Sequence, residues 1–360
     1  MILRSVCAQK EESLLNKKDT RYLSLLSVIA CFAVVFMHTN GCFWTFHATA
    51  RYWKTANIIE SVFYFAVPVF FMISGATLID YSDRYSTAVF FKKRIMKTVI
   101  PFVVWSLLAI PFAVFLLKSI KPESVSVVYA INSVFNASVV SYYWFFPSMI
   151  AAYISLPLLS AVDKSKKKAT FTYLVVAGFV LGSVIPFVKE WLLPTLSFPF
   201  NVIVVGYPIL YLLIGYLLAH YDCSAKWKYT IYAAAVVALI LHIVGTYTLS
   251  MEAGKVVKKF KHLVVAVPYA CGIFLVFKTY GNRLLDKFKW LAAFVDWFKK
   301  YTFAVYLLHW FVIKVLGGLF TLNTKTLVYR LGMPFVIVPI CVVVTMCVRK
   351  IPVIKRILPA

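Results

Sequence analysis

Runs of about twenty apolar residues recur along this chain, and no other feature limits its possible folds as severely. A helix rises ~1.5 Å per residue, so ~20 such residues cross the ~30 Å hydrocarbon core of a bilayer. In lipid every backbone N–H and C=O has to be paired within the protein, which leaves helices or closed barrels. The alternating pattern of barrel strands is absent, so the sequence predicts an all-α polytopic membrane protein. Ten candidate spans can be drawn, at about 22–43, 57–79, 97–117, 142–161, 170–188, 199–219, 229–250, 263–278, 301–320 and 328–348. The expectation is a bundle of about ten transmembrane helices over residues 21–350, between an N-terminal tail (1–20) and a C-terminal tail (351–360). A hydrophobic content of 62% and a mean hydropathy of +0.84 argue against a soluble domain.

The net charge of +25 would suggest a nucleic-acid partner in a soluble protein. Here Lys and Arg cluster between the spans, so topology and anionic lipid account for the charge, and no nucleic acid is expected. Taking the inter-span segments alternately, 26 Lys or Arg fall on the side of the termini and 11 on the other. The positive-inside rule then places both termini in the cytoplasm, with the protein in the cell (plasma) membrane. The segment 251–262, with four lysines, runs against that count. Residues 1–20 are polar and the first apolar run is a full span, so no cleavable signal peptide is expected. Seven cysteines (Cys7, Cys31, Cys42, Cys223, Cys271, Cys341 and Cys347) are scattered without paired spacing, which predicts neither disulfides nor a zinc site. His38 and Cys42 at i,i+4, with His47 nearby, have ligand-like spacing, yet the plainer reading is preferred and no metal is expected.

Two connections look like more than turns. Residues 284–298 put Leu284, Leu285, Phe288, Leu291, Ala292, Val295 and Phe298 on one face, flanked by lysines, and predict a helix lying in the interface. Residues 122–140 are too polar to span and read as a short helix or a re-entrant piece. Trp44, Trp53, Tyr142, Tyr143 and Trp144 fall near span edges, as belt aromatics do.

The first span, from Arg21 to Asn40, carries Ser24, Ser27, Cys31 and His38 on one helical face. An ionisable side chain within such a run is costly and tends to face a cavity or a partner. The plainer reading of His38 is a satisfied core histidine; the functional one is a general base. Glu60, near the start of span two, either shares a level with His38 and orients its imidazole or sits in the outer interface. Pro68 predicts a kink in span two, and Ser74-Gly75 a close helix approach. The stretch Phe90–Phe102, FFKKRIMKTVIPF, is either a topological anchor, which chemistry alone favours, or a phosphate-binding cluster of Lys92, Lys93, Arg94 and Lys97. His309, in span nine, is a second intramembrane histidine, and two of them suggest a polar cavity.

The series formed by His38, VPVFFMISG, FFKKRIMKTVIP, YYWFFPSMIAAYISLPLL and YLLHW resembles the integral-membrane acyltransferase 3 family, in order and over nearly the whole chain. The likeness is to its short members, which lack an extracytoplasmic domain. That resemblance implies ten spans and transfer of an acyl group, usually acetyl from acetyl-CoA, to sugar hydroxyls of envelope glycans or lipid-linked sugars. It maps the family's first-span histidine to His38, its basic cluster to Lys92, Lys93, Arg94, Lys97 and Pro101, and its late motif to Tyr306, Leu307, Leu308 and His309. On this footing His38 and Glu60 are the candidate catalytic pair. The four basic residues would hold the donor, and Asn40, Trp144 and His309 would contact the acceptor. Acetyl-CoA would be a cosubstrate of an O-acetyltransferase, and the lipid bilayer the standing partner.

One departure stands out. The family places an arginine eleven residues before the histidine, often with an aspartate three residues earlier, where this chain has Ser27 and Ser24. Arg21 lies six residues too early to replace it without reaching along the helix. A reading from another class, a transporter using His38 and His309 as proton-linked groups, draws its support from that gap.

Overall fold

Among the residues described by a computed structural model (20–193, 195, 205–257, 263–352 and 354–359), the chain is 82% helical and has no strand. Nine helical stretches in this set are long and apolar enough to cross a membrane, and Tyr207–His220 is a shorter apolar helix at the place of the sixth predicted span. The fold is thus an all-α polytopic bundle of about ten helices. Most of the N-terminal tail, the start of span six and residues 258–262 lie outside the described residues.

The first described helix, α1 (Arg21–Thr39), is the post around which the others stand. Lipid gives no hydrophobic drive for helix association, so close packing decides, and small side chains permit it. On α1 those are Ala30, Cys31 and Ala33, all buried. At its start the Tyr22 N–H donates to Asn282 Oδ1 at 2.9 Å, and Arg21 pairs with Asp286 at 2.7 Å.

The second span is broken. Helix α2 (Arg51–Phe63) stops at Tyr64-Phe65, and α3 (Ala66–Leu78) resumes. Pro68 has no N–H for the carbonyl of Tyr64, four residues back, and its ring displaces it, which accounts for the break. Helix α4 (Thr87–Arg94) runs through a π turn at Ile95–Val99 into α5 (Ile100–Pro111), where Pro101 again lacks a donor. Of the two readings of 122–140, the structure has the short helix, α6 (Val127–Phe135). Then follow α7 (Phe145–Ser160), entered through a 3-10 turn at Ser141–Trp144, then α8 (Lys164–Phe179) and α9 (Ile185–Leu192).

Helix α10 (Tyr207–His220) lies closest to α3. A Cβ on Gly75 would stand 1.9 Å from the carbonyl oxygen of Leu212, and one on Gly215 2.0 Å from that of Met72. Each glycine is therefore the socket for the other helix's backbone, which explains why Ser74-Gly75 stands inside an apolar run. Helices α11 (Ala225–Ala253) and α12 (Leu263–Lys287) form the next antiparallel pair. The expected interfacial helix is shorter than its sequence pattern. Leu284–Lys287 still belong to α12, the chain turns at Phe288, and α13 covers Lys289–Phe298. Helices α14 (Thr302–Leu319), α15 (Leu327–Gly332) and α16 (Pro334–Val348) follow, and α17 (Ile354–Ile357) packs back on α5, where Trp105 Nε1 donates to Ile357 O at 2.9 Å.

Candidate active site

His38 sits in the last turn of α1, and its Nδ1 lies 2.7 Å from Nε2 of His309 on α14. The two imidazoles are nearly parallel, and His38 stacks face to face on Tyr142, with ring centroids 3.5 Å apart. His309 is fully buried, and its Nδ1 is 3.0 Å from Val305 O. Two hydrogen bonds bolt α14 to the turn carrying Tyr142: Tyr306 OH donates to Tyr142 O and Tyr143 OH to Leu307 O, both at 2.6 Å. Histidines 271 residues apart are thus held at one level by neighbours that cannot shift independently.

His38 faces a chamber of about 500 Å³, whose wall includes Glu60, Tyr64, Tyr142, Trp144 and Tyr207. Glu60 is buried and shares this chamber, while the imidazole's own hydrogen bond is with His309. Trp144 is half exposed at the rim. Asn40 is elsewhere: it is fully buried, its Nδ2 donates to Ala56 O at 2.8 Å, and its Oδ1 accepts from Arg330.

A second cavity, of about 360 Å³, lies toward the Arg21 end of the bundle. Its lining includes Ser27 and Ser74 on one side and Arg94, Lys97 and Lys300 on others. Of the four basic residues expected to act together, Arg94 and Lys97 are here. Lys92 is exposed outside it, and Lys93 Nζ rests 3.7 Å over the ring of Tyr85. Lys300 was not foreseen, and it borders the same space as Ser27. Arg21, committed to Asp286, does not line it. The linings of the two cavities share one side chain, Tyr306.

Several cations at this end have carboxylate partners. Arg21, Lys164, Lys167, Lys278 and Lys299 are paired with Asp286, Asp83, Asp80, Asp222 and Asp296. Among the described residues Arg94, Lys97 and Lys300 pair with no carboxylate, as is true of Lys92, Lys93, Lys166 and Lys168, and what sets the three apart is the cavity they line. The buried Nε of Arg94 has no hydrogen-bond partner; its guanidinium lies against the rings of Phe90 and Tyr153. A pocket with three uncompensated cations has the chemistry to hold an anion.

Arg330 is the other residue that sequence reasoning passed over, as one loop charge among several. It is 1% exposed and gathers the end of α1 to α2: its side chain donates to Thr55 Oγ1 at 2.7 Å, Tyr52 O at 3.3 Å and Asn40 Oδ1 at 3.4 Å. Its own carbonyl accepts from Thr39 Oγ1. The turn bearing His38 is fixed from behind by this network.

The sequence model of the acyltransferase domain family matches residues 20–348. No curated protein and no solved structure matches the chain. Between the two classes that a pair of intramembrane histidines left open, transferase and transporter, the family match decides for the first. The chain belongs to the integral-membrane acyltransferase 3 family and is a multi-pass membrane acyltransferase.

Proposed function

We propose that the protein takes acetyl from acetyl-CoA and transfers it to a hydroxyl of an envelope glycan or lipid-linked sugar, as an O-acetyltransferase of the cell membrane with both termini cytoplasmic. The observation that carries this reading is the pairing of cavities: one lined by three uncompensated cations, one by a histidine, meeting at Tyr306. Donor phosphates fit the first, with Arg94, Lys97 and Lys300 as their partners. The acyl end then lies toward Tyr306, and the acceptor hydroxyl in the chamber with His38 and Glu60. Trp144 offers a face on which a sugar stacks.

In the transfer step the hydroxyl oxygen attacks the thioester carbonyl as His38 removes the hydroxyl proton. The new C–O bond forms, the C–S bond breaks, and the leaving thiolate takes that proton from His38, which returns to neutral. Lys300 answers the departure at Ser27. Both border one space, so the charge that the family carries on its first span is supplied from the turn before α14.

Purified protein in lipid nanodiscs tests the proposal. Acetyl-CoA with an envelope glycan should release free thiol, and the glycan should gain acetyl groups by mass spectrometry. Thiol release absent with every acyl-CoA offered, or glycans unchanged between cells with and without the protein, would overturn it.

A further inference from the structure

A neutral imidazole carries one proton, and its partners decide where that proton sits. His309 Nδ1 is bonded to Val305 O, and a carbonyl oxygen only accepts. Nδ1 of His309 therefore holds the proton, and its Nε2 is a bare lone pair. That lone pair faces His38 Nδ1 at 2.7 Å, so His38 Nδ1 is the donor. The proton of neutral His38 is then spent on Nδ1, and its Nε2 is left unprotonated. Two imidazolium rings at this distance would set donor against donor and charge against charge, which excludes the doubly protonated pair.

We propose that His309 is a positioning residue that fixes His38 in the tautomer whose Nε2 is the basic nitrogen. The inference rests on the acyl-transfer reading for its use, and on geometry alone for its existence. When Nε2 takes the acceptor's proton, His38 becomes an imidazolium that still donates from Nδ1 to the lone pair of His309. That bond is then charge-assisted, hence stronger in the transition state than before it, which is what accelerates a reaction. A carboxylate does this work in a serine hydrolase. Here a neutral ring does it at a depth where a second ion would be costly. The stack on Tyr142 holds the plane of His38, and the bonds from Tyr306 and Tyr143 hold Tyr142 and α14 in register.

The test has two arms. In the first, His309→Gln sets an oxygen near the place of Nε2 and keeps an acceptor for His38, whereas His309→Leu keeps bulk and removes it. The leucine variant should lose roughly a hundredfold or more in kcat, within the range of general-base catalysis. Its KM for acetyl-CoA should stay within about twofold, and the glutamine variant should recover at least a tenth of the wild-type kcat. Equal kcat in wild type and leucine variant, equal losses in both variants, or a loss confined to KM would overturn the proposal. In the second arm, nitrogen-15 solid-state NMR of histidine-labelled wild type in bilayers reads the protonated nitrogen of His38 whether or not the protein turns over. A protonated Nδ1 with bare Nε2 is expected, and the opposite tautomer would refute it. A wild type that transfers nothing, with the expected NMR result, would sink the transfer reading and leave the tautomer standing.

Discussion

The histidine chamber and the basic cavity share a wall but are built on opposite plans. Around His38 the polar groups are spent on one another: His38 with His309, His309 with Val305, Tyr306 with Tyr142, Tyr143 with Leu307. Around Arg94, Lys97 and Lys300 the charges are left over, although other cations at the same end have carboxylate partners. Chemistry on a proton tolerates little play, so side chains locked by neighbours suit the chamber. Recognition of a mobile, multiply charged ligand needs charge that the protein has not already neutralised. On the proposed reading, partner bonds, more than residue type, separate a reacting site from a holding one.

The comparison can be broken most directly in the chamber. His38→Ala should lower transfer by roughly a hundredfold to ten-thousandfold, while the purified protein elutes and melts like wild type. Undiminished turnover would remove the chamber from the chemistry. In the basic cavity, Arg94→Gln with Lys97→Gln should raise the KM for acetyl-CoA about a hundredfold, since each charge-assisted contact is worth roughly 1.5–3 kcal/mol. Lys92→Gln with Lys93→Gln should change it by less than about threefold. Steady-state kinetics on both pairs would decide, and the reverse ranking would move the donor site to the outer face of α4. A third change tests the helix contact that frames both regions. Gly75→Ala drives a methyl into the Leu212 carbonyl and should cost about 1–3 kcal/mol of stability, read as a lower unfolding temperature in detergent with normal kinetics in the folded fraction. The smallest effect belongs to Ser27→Arg. Because Lys300 already borders that space, the KM for acetyl-CoA should fall only about threefold, well under the tenfold or more of one full contact. A rise in KM would show Ser27 to be a packing residue.

Local rules carried most of the fold. Span length, the break at Pro68 and the contact at Gly75 follow from hydrocarbon thickness, the missing proline donor and the missing Cβ. The site was legible only where one helix told the story. His38 stood out because an imidazole is expensive inside an apolar run, yet its partner lies 271 residues away and no spacing predicts it. Lys93 and Lys97, four apart, share a face in an α-helix, but so do Arg94 and Lys97, three apart, so spacing does not choose between the pairs, and the cavity receives Arg94 and Lys97. Lys300 and Arg330 looked like two more topological charges, and only tertiary packing separates a cation at a cavity from one in a loop or one buried as a clamp.

The interlock at Gly75 and Gly215 also sets a timescale. Two helices whose backbones meet without intervening side chains do not part easily, and helix separations of that kind run on microseconds to milliseconds. Tyr306, between the two cavities, is fastened by one hydroxyl bond to Tyr142 O. Releasing such a bond costs about 0.5–1.5 kcal/mol, and rings turn far faster than helices move. An acyl group crossing from one cavity to the other would wait on that ring alone, while Tyr143 OH on Leu307 O keeps α14 in register and α3 stays packed on α10.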